Sequence, residues 1–289
     1  MKPAPFDYAA PASLAEAASL LAAADGEAKI LAGGQSLMPL LNMRLARPRL
    51  LVDIARVPAL DYVREENGAI AVGAMTRQRT LERSPLATRA TPLLHEAMLH
   101  IAHPQNRNQG TVCGSLAHAD PAAELPAVAL ALDATFRVVG PNGAREIAAR
   151  DFFVTYLTTS METTEVLAEV RFPAQPARTG WAFEEVARRH GDFAMCGVTT
   201  TVTLDPGGTC SAARVVLFGV GSTPIRASAA EAALVGARAS DKLFAEAARV
   251  DDAIDEPLSD VHATAEYRRH VAQALTARAL PQAFARAAR

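Results

Sequence analysis

The sequence predicts an α+β fold, and three patterns support this prediction. An apolar run at residues 29–31 leads into the turn Gly33-Gly34 and then into an apolar segment from Leu37, the order of a strand, a turn and a helix. Two further apolar runs flank Gly140-Pro141-Asn142-Gly143, as the strands of a β-hairpin flank their turn. The last third of the chain has three strand-like runs followed by three helix-like runs, which predicts a small antiparallel sheet with helices on one face.

The composition is that of a globular protein with a sizeable core. The chain has 289 residues, of which 50% are hydrophobic, and this length suffices for two or three compact units. The formal net charge is −2 and the Lys and Arg residues are scattered, which argues against a nucleic-acid groove or a polybasic membrane surface.

The sequence also bears on the cellular compartment. No apolar run is long enough to span a membrane, and the N-terminus lacks the apolar core of a signal peptide. The three cysteines are odd in number and far apart, which fits neither a disulfide framework nor a metal site. We therefore expect a reduced, cytoplasmic protein.

The first predicted unit is a small α/β subdomain that ends near Val57. A capping box, Ser13 to Glu16, predicts a helix from Leu14 to about Ala24. Two short buried strands, Lys29–Leu31 and Leu50–Ile54, are expected to flank the glycine turn.

The second predicted subdomain runs from residue 58 to about 175. Its long segment His103–Pro121 is expected to be an irregular loop, and loops of this length inside a compact domain are usually functional. The other expected elements are strands at Ala69–Ala74 and Val166–Phe172, a hairpin at Phe136–Ile147, and helices at Thr76–Ser84, Thr91 to about Ala102 and Ala122–Leu132.

A proline-rich stretch without periodicity, Pro173–Gly180, predicts a domain boundary, so we divide the chain into residues 1–175 and 176–289. The expected elements beyond the boundary are strands at Trp181–Ala187, Gly197–Leu204 and Ala213–Val220, and helices at Ala227–Val235, Asp241–Val250 and Ala263 to about Ala279.

The glycine turn is the first candidate functional element. Two adjacent glycines let the backbone turn without Cβ clashes and let a ligand approach the peptide N–H groups closely. Several N–H groups that point the same way favour an anion such as a pyrophosphate. A Gly-Gly turn between a strand and a helix is also a common structural feature, so the turn alone leaves both interpretations open.

Three segments together form a more specific pattern: Ala32–Pro39, Arg107–Glu124 and Arg188–Ala194. In sequence, order and spacing they resemble the FAD-binding subunit of molybdenum hydroxylases, a family that includes carbon monoxide dehydrogenase medium chains and the flavin domain of xanthine dehydrogenase. The resemblance covers the chain from end to end. It implies a FAD-binding domain of two α/β subdomains, of the vanillyl-alcohol-oxidase (PCMH) type, followed by a C-terminal domain of the carbon monoxide dehydrogenase flavoprotein type.

The resemblance also implies a set of residues that bind FAD non-covalently. The backbone of Ala32 to Ser36 would hold the pyrophosphate, Glu124 would bind the adenosine ribose, and Phe193 would lie near the isoalloxazine ring. No side chain is expected to act as a catalytic acid or base, since the chemistry belongs to the flavin. The full predicted set is Lys29, Leu31, Ala32, Gly33, Gly34, Gln35, Ser36, Leu37, Ile101, Ala102, Thr111, Gly114, Ser115, Asp120, Glu124, Leu167 and Phe193.

For function, the resemblance implies an electron-transfer subunit that is not a complete enzyme alone. Substrate would be oxidised at a molybdenum cofactor in a large partner subunit, and electrons would cross 2Fe-2S clusters in a small partner. They would reach FAD in this chain and leave to NAD, a quinone or oxygen. Two alternatives remain: a flavin-free assembly or scaffold module of such a complex, and a stand-alone FAD oxidase of the vanillyl-alcohol type.

Two positions depart from the family pattern. The family usually has two glycines where this chain has Cys113-Gly114. If the first position requires positive φ, Cys113 strains the backbone; if negative φ is accepted, Cys113 is a neutral occupant, and we favour the second interpretation. Glu184 aligns with a lysine that lies near the flavin in some relatives, so no charge-stabilising role is assigned to it.

Overall fold

The N-terminal unit is a three-stranded parallel sheet with two helices. The computed structural model describes residues 1–289. The elements of this unit are β1 (Asp7–Ala9), α1 (Leu14–Ala23), β2 (Ala28–Leu31), α2 (Leu37–Asn42) and β3 (Leu50–Asp53). Strand β3 lies between β1 and β2. The predicted strands and helices are confirmed, whereas β1 was not predicted, because its three residues are mostly exposed and show no apolar pattern.

The capping box at the start of α1 is confirmed with one change. The N–H of Glu16 donates to the hydroxyl of Ser13 at 3.1 Å, as predicted. The carboxylate of Glu16 accepts from the N–H of Ala12 at 2.8 Å, one residue before the cap, and so satisfies a donor outside the helix.

The second unit is built on a five-stranded antiparallel sheet. Its elements are β4 (Val63–Glu66), β5 (Ala69–Gly73), α3 (Gln78–Glu82), α4 (Pro85–Ala90), α5 (Pro92–Met98), α6 (Pro104–Arg107), α7 (Val112–His118), α8 (Glu124–Ala131), β6 (Thr135–Gly140), β7 (Gly143–Ala148), α9 (Ala149–Phe152), β8 (Phe153–Thr155), β9 (Thr158–Thr159) and β10 (Val166–Pro173). The sheet order is β4-β5-β10-β6-β7, and β8 and β9 form a separate short hairpin. The hairpin predicted around Gly140–Gly143 is confirmed as β6 and β7.

The segment 103–121 is not the irregular loop that the sequence predicts, because it contains two short helices. Pro104 occupies the first turn of α6, where its missing N–H costs nothing. Thr111 caps α7 by accepting from the N–H of Gly114 at 3.1 Å, and α7 ends at Ala119 in a left-handed conformation. Short helices capped by single residues lack the apolar periodicity from which a helix is predicted.

Helix α5 is shorter than predicted, since it ends at Met98 rather than near Ala102. The hydroxyl of Thr91, the expected cap, instead donates to the carbonyl of Ala87 in the preceding helix. The residues between α5 and α6 are therefore free to form a turn that reaches the cavity described below.

The C-terminal unit is an antiparallel sheet covered by helices, as predicted, but it has four strands rather than the predicted three, since the two-residue β14 is too short to show a pattern. Its elements are β11 (Thr179–Val186), β12 (Cys196–Leu204), β13 (Cys210–Phe218), β14 (Ile225–Arg226), α10 (Ser228–Leu234), α11 (Asp241–Ala247) and α12 (Ala265–Ala287). The sheet order is β11-β12-β13-β14, and α12 packs on β11 and β12. Helix α12 extends past its predicted end at Ala279 and continues through Pro281. None of the helices combines the length and apolarity that crossing a bilayer requires.

Glu96 on α5 joins the second unit to the C-terminal unit. Its carboxylate accepts from the indole N–H of Trp181 at 2.7 Å and from Arg286 at 2.8 Å. The Arg286 guanidinium also lies 5.0 Å from the centroid of the Trp181 ring. One carboxylate therefore ties α5 to β11 and to the end of α12.

Gly180 in β11 has no room for a side chain. A Cβ at this position would overlap the carbonyl oxygen of Ala283 and the N–H of Ala287 in α12. We expect Gly180→Ala to lower the free energy of unfolding by about 1–3 kcal/mol or more, as overpacking does. Chemical denaturation measures this, with Gly207→Ala as the control, because the atoms nearest a Cβ there belong to the side chains of Asp205, at 3.2 Å, and Arg238, at 3.7 Å, and not to backbone. Equal stabilities of the two variants would contradict the expectation.

Candidate functional site

A cavity of about 1010 Å³ lies between the N-terminal and second units, and two residues of the C-terminal unit, Gly191 and Phe193, also line it. This volume is at the upper end of the about 300–1,000 Å³ that ligand pockets usually have, which suits a large nucleotide cofactor. The glycine turn, the start of α7 and the β8–β9 hairpin line it, together with Gly191 and Phe193.

The glycine turn presents a row of unused backbone donors. The N–H groups of the five residues from Ala32 to Ser36 donate to no acceptor in the chain. All five residues line the cavity. A run of backbone N–H groups that is not paired within the chain forms an anion-binding concavity. This arrangement fits a diphosphate.

The glycine turn and the link between α6 and α7 are in direct contact at Gly33. A Cβ on Gly33 would lie 2.5 Å from the carbonyl oxygen of Gln109 and 2.8 Å from the nitrogen of Thr111, so no larger residue fits. Gly34 is glycine for a different reason: its φ is +71°, in the left-handed region that other residues rarely adopt. The two glycines therefore fix both the contact between the loops and the turn itself.

The backbone at Cys113 does not require glycine. Cys113 is the second residue of α7 and is not among the residues with positive φ. This supports the interpretation that Cys113 is a neutral occupant of a position where the family usually has glycine. Its thiol is buried and donates weakly to the carbonyl of Val72 at 3.7 Å. Burial, and next the charge of Glu169, raise the pKa of the Cys113 thiol, which keeps the sulfur neutral.

The structure brings together nearly all the residues that the sequence predicts for the site. Every one of them except Leu31 lines the cavity, although the contacts of each with FAD stay predictions. Leu31 lies behind the turn, where a Cβ on Gly34 would be 3.4 Å from its Cδ1. Sequence reasoning missed Tyr156, Leu157 and Met161, because the strands of the β8–β9 hairpin are too short to give a pattern.

Two titratable groups of the cavity are biased toward their neutral forms. Burial, and next the negative charge of Glu185, raise the pKa of Glu124 to about 8. Burial and the nearby Lys29 lower the pKa of His118, although Asp120 opposes the shift. At neutral pH Glu124 is therefore largely protonated and can donate as well as accept a hydrogen bond. Its ribose contact, which the resemblance implies, stays a prediction.

Glu184, the second departure from the family pattern, does not line the cavity. Its carboxylate accepts from Gln282 at 2.5 Å and pairs with Arg278 at 3.0 Å, both on α12. It stabilises the packing of α12 on β11.

The lining of the cavity is suited to holding a redox cofactor. The residues present fit FAD: unused N–H groups match a diphosphate, and the side chains of Ile101, Leu167 and Phe193 offer apolar surface in the same cavity. No group of three His, Cys, Asp or Glu side chains is placed to bind a metal.

Two family descriptions match the chain. The family described as FAD binding domain in molybdopterin dehydrogenase matches residues 4–175. The family described as CO dehydrogenase flavoprotein C-terminal domain matches residues 181–283.

Characterised proteins of similar sequence and structure span the whole chain. It is 46% identical to the 6-hydroxypseudooxynicotine dehydrogenase complex subunit alpha of Paenarthrobacter nicotinovorans, over 99% of this chain and 97% of the relative. It is 40% identical to the carbon monoxide dehydrogenase medium chain of Hydrogenophaga pseudoflava, over 100% of both chains. A solved structure of carbon monoxide dehydrogenase from H. pseudoflava, lacking the Mo-pyranopterin moiety of its cofactor, matches with a TM-score of 0.96 and 43% identity, covering 99% of each chain. These likenesses confirm the family resemblance and the predicted fold class.

Substitution of Gly33 tests the glycine turn. We expect Gly33→Ala or Gly33→Val to abolish FAD binding, because the new Cβ would push the turn away from Gln109 and Thr111. Gly34→Ala is the matched comparison, since its Cβ would meet only the side chains of Met38 and Leu31, at 3.2 and 3.4 Å. It should retain weakened binding, with a cost of about 1 kcal/mol for the left-handed backbone. Flavin absorbance of the purified variants gives the content, and full content in Gly33→Ala would contradict the proposed contact.

The pKa of Glu124 predicts a dependence of stability on pH. The ordinary value is 4.5 and the folded value about 8, so between these pH values the folded chain holds a proton that the unfolded chain has released. The stabilisation is complete below about pH 4.5 and is lost as the pH rises through about 8. Glu124→Gln should remove this loss, so that its stability relative to the parent rises with pH by up to about 1 kcal/mol per unit.

Denaturation of the flavin-free chain from pH 5 to pH 9 checks this expectation. Glu256→Gln, which removes an exposed carboxylate, is the control and should follow the parent curve. Identical pH slopes for Glu124→Gln and the parent would show that Glu124 is not the group responsible.

Proposed function

The chain belongs to the family of FAD-binding domains of molybdopterin dehydrogenases, and we propose that it passes electrons from iron–sulfur clusters of a partner to an external acceptor. It is the medium, FAD-carrying subunit of a multi-subunit oxidoreductase of the molybdenum hydroxylase type. Bound FAD supplies the redox chemistry, because it can accept electrons and release them to another molecule.

The observation that supports this proposal most directly is the row of unused N–H groups from Ala32 to Ser36 at the cavity wall. In a flavin-free scaffold module these five donors would face only solvent, whereas a bound diphosphate would accept from them. In the proposed division, residues 1–175 supply both phosphate-binding loops, and residues 176–289 contribute Phe193 at the far end.

A second cavity offers a route for electrons to leave. It has a volume of about 440 Å³ and shares Asp120, Tyr156, Gly191 and Phe193 with the first cavity. Phe193 is 58% exposed, so an acceptor can reach the shared wall. NAD, a quinone and oxygen are the candidate acceptors.

In this proposal electrons enter from a partner subunit that carries the iron–sulfur clusters. The cysteines of this chain, Cys113, Cys196 and Cys210, are buried, unpaired and isolated, and no other group of ligands is assembled. We infer a small partner with 2Fe-2S clusters and a large partner with the molybdenum cofactor. The free thiols are typical of a reducing compartment, which supports a cytoplasmic complex.

Two experiments on the purified chain test the proposal. In the first, bound FAD is photoreduced without oxygen and mixed with NAD, a soluble quinone or oxygen, and the flavin absorbance is followed. We expect reoxidation by at least one acceptor; failure with all three would contradict electron release from this chain.

In the second, the chain alone is given a heteroaromatic compound, an aldehyde or carbon monoxide, and we expect no turnover. Sustained turnover would establish a stand-alone oxidase instead. A parent chain that binds no FAD under any condition would establish the flavin-free module. Gly33→Ala serves as the flavin-free control in both experiments.

A further inference from the structure

Arg107 is almost fully buried beside the flavin cavity and makes three directed hydrogen bonds. Its Nε donates to Oε2 of Glu82 at 2.9 Å. Its Nη1 donates to the carbonyl oxygens of Ile101 at 2.6 Å and of Ala102 at 3.1 Å. The side chains of Arg107 and Glu82 are only 6% and 9% exposed, so the pair is well shielded from water.

Glu82 is itself held in place. Its second carboxylate oxygen accepts from Arg79, so that both oxygens are hydrogen-bonded to guanidinium groups. Burial alone would raise the pKa of Glu82, but the hydrogen bonds from Arg79 and Arg107 outweigh burial and lower it. A carboxylate that stays charged inside the protein is a fixed anchor for Arg107.

The turn that Arg107 holds is strained and lines the cavity. Ala102 has φ of +43°, a left-handed conformation that costs a residue other than glycine about 1 kcal/mol or more. Ile101 and Ala102 both line the cavity. The hydrogen bonds from Arg107 to both carbonyl groups offset the strain and fix the direction of the turn.

The same turn supports the loop that carries Phe193. A Cβ on Gly191 would lie 2.8 Å from the carbonyl oxygen of Ala102 and 2.9 Å from Cε1 of His103. Gly191 has φ of +87°, so both its backbone conformation and its closeness to Ala102 favour glycine. Phe193 follows two residues later and lines both cavities.

We propose that Arg107 is a positioning residue of the flavin site: anchored by Glu82, it fixes the Ile101–Ala102 turn, on which Gly191 and the Phe193 loop rest. Through this contact a side chain of the second unit sets the position of a loop of the C-terminal unit at the cavity. The inference rests on the proposed function only for the identity of the cofactor, because the contacts exist within the chain itself.

Hydrogen exchange of the full chain, read by mass spectrometry without and with FAD, tests the proposal on two variants. Arg107→Lys keeps the charge but loses the forked donor geometry. Gly191→Ala drives a Cβ against the Ala102 carbonyl. In both variants we expect the amide of Asp192, the one in residues 188–194 that donates to a backbone carbonyl (that of Arg189), to exchange about tenfold faster without FAD. We also expect the Kd for FAD to rise about tenfold, equivalent to about 1.4 kcal/mol.

Each variant has a matched control. Gly208→Ala places a side chain at φ of +82° with nothing within 4 Å of its Cβ. It therefore shares the backbone strain of Gly191→Ala but not the clash with the Ala102 carbonyl. Arg226→Lys alters an ion pair with the buried Glu231, and neither residue lines the cavity. Both controls should leave the exchange of residues 188–194 and the FAD affinity unchanged.

The exchange of residues 188–194 and the melting temperature together distinguish a positioning role of Arg107 from a general contribution to stability. If Arg107→Lys lowers only the melting temperature and leaves the exchange of residues 188–194 as in the parent, the proposal is overturned. If Arg107→Lys does not fold, Gly191→Ala decides, and unchanged exchange in that variant overturns the proposal equally. Since the exchange is measured without FAD, this result does not depend on whether electrons leave to an external acceptor.

Discussion

Gly33 lies against Gln109 and Thr111 so closely that the backbones of two distant loops are in direct contact. This contact joins the turn after β2 in the N-terminal unit to the link between α6 and α7 in the second unit. It also leaves the N–H groups from Ala32 to Ser36 at the wall of the cavity, without acceptors in the chain. The cavity, its anion-binding wall and the need for glycine thus follow from one constraint.

The site departs from ordinary structural preferences in several places at once. Ala102 and Ala119 adopt left-handed conformations, Glu124 is buried without a cationic partner of its own, and Arg107 is buried beside Glu82. Such departures lower the stability of the chain alone and are typical of binding sites. A cofactor that binds only the folded chain restores stability in proportion to its affinity.

Sequence patterns predicted the fold where apolar periodicity is strong and failed where elements are short. The strands β5, β6 and β10 and the sheet-then-helices order of the C-terminal unit follow from apolar runs and turn residues. The helices α6 and α7 depend on single capping residues, and β8–β9 has too few residues to show a period. The candidate binding loops were predicted by motif. The support of the Phe193 loop by Arg107 depends on contacts between distant segments that no local pattern records.

Hydrogen exchange at the glycine turn tests the central claim most directly, namely that the N–H groups from Ala32 to Ser36 hold the FAD diphosphate. These amides have no acceptor in the chain, so they should exchange rapidly in the flavin-free protein. Binding of FAD should slow them by about tenfold or more if each gains a hydrogen bond worth at least ~1.4 kcal/mol. Unchanged exchange at these residues in a chain that has bound FAD would contradict the account.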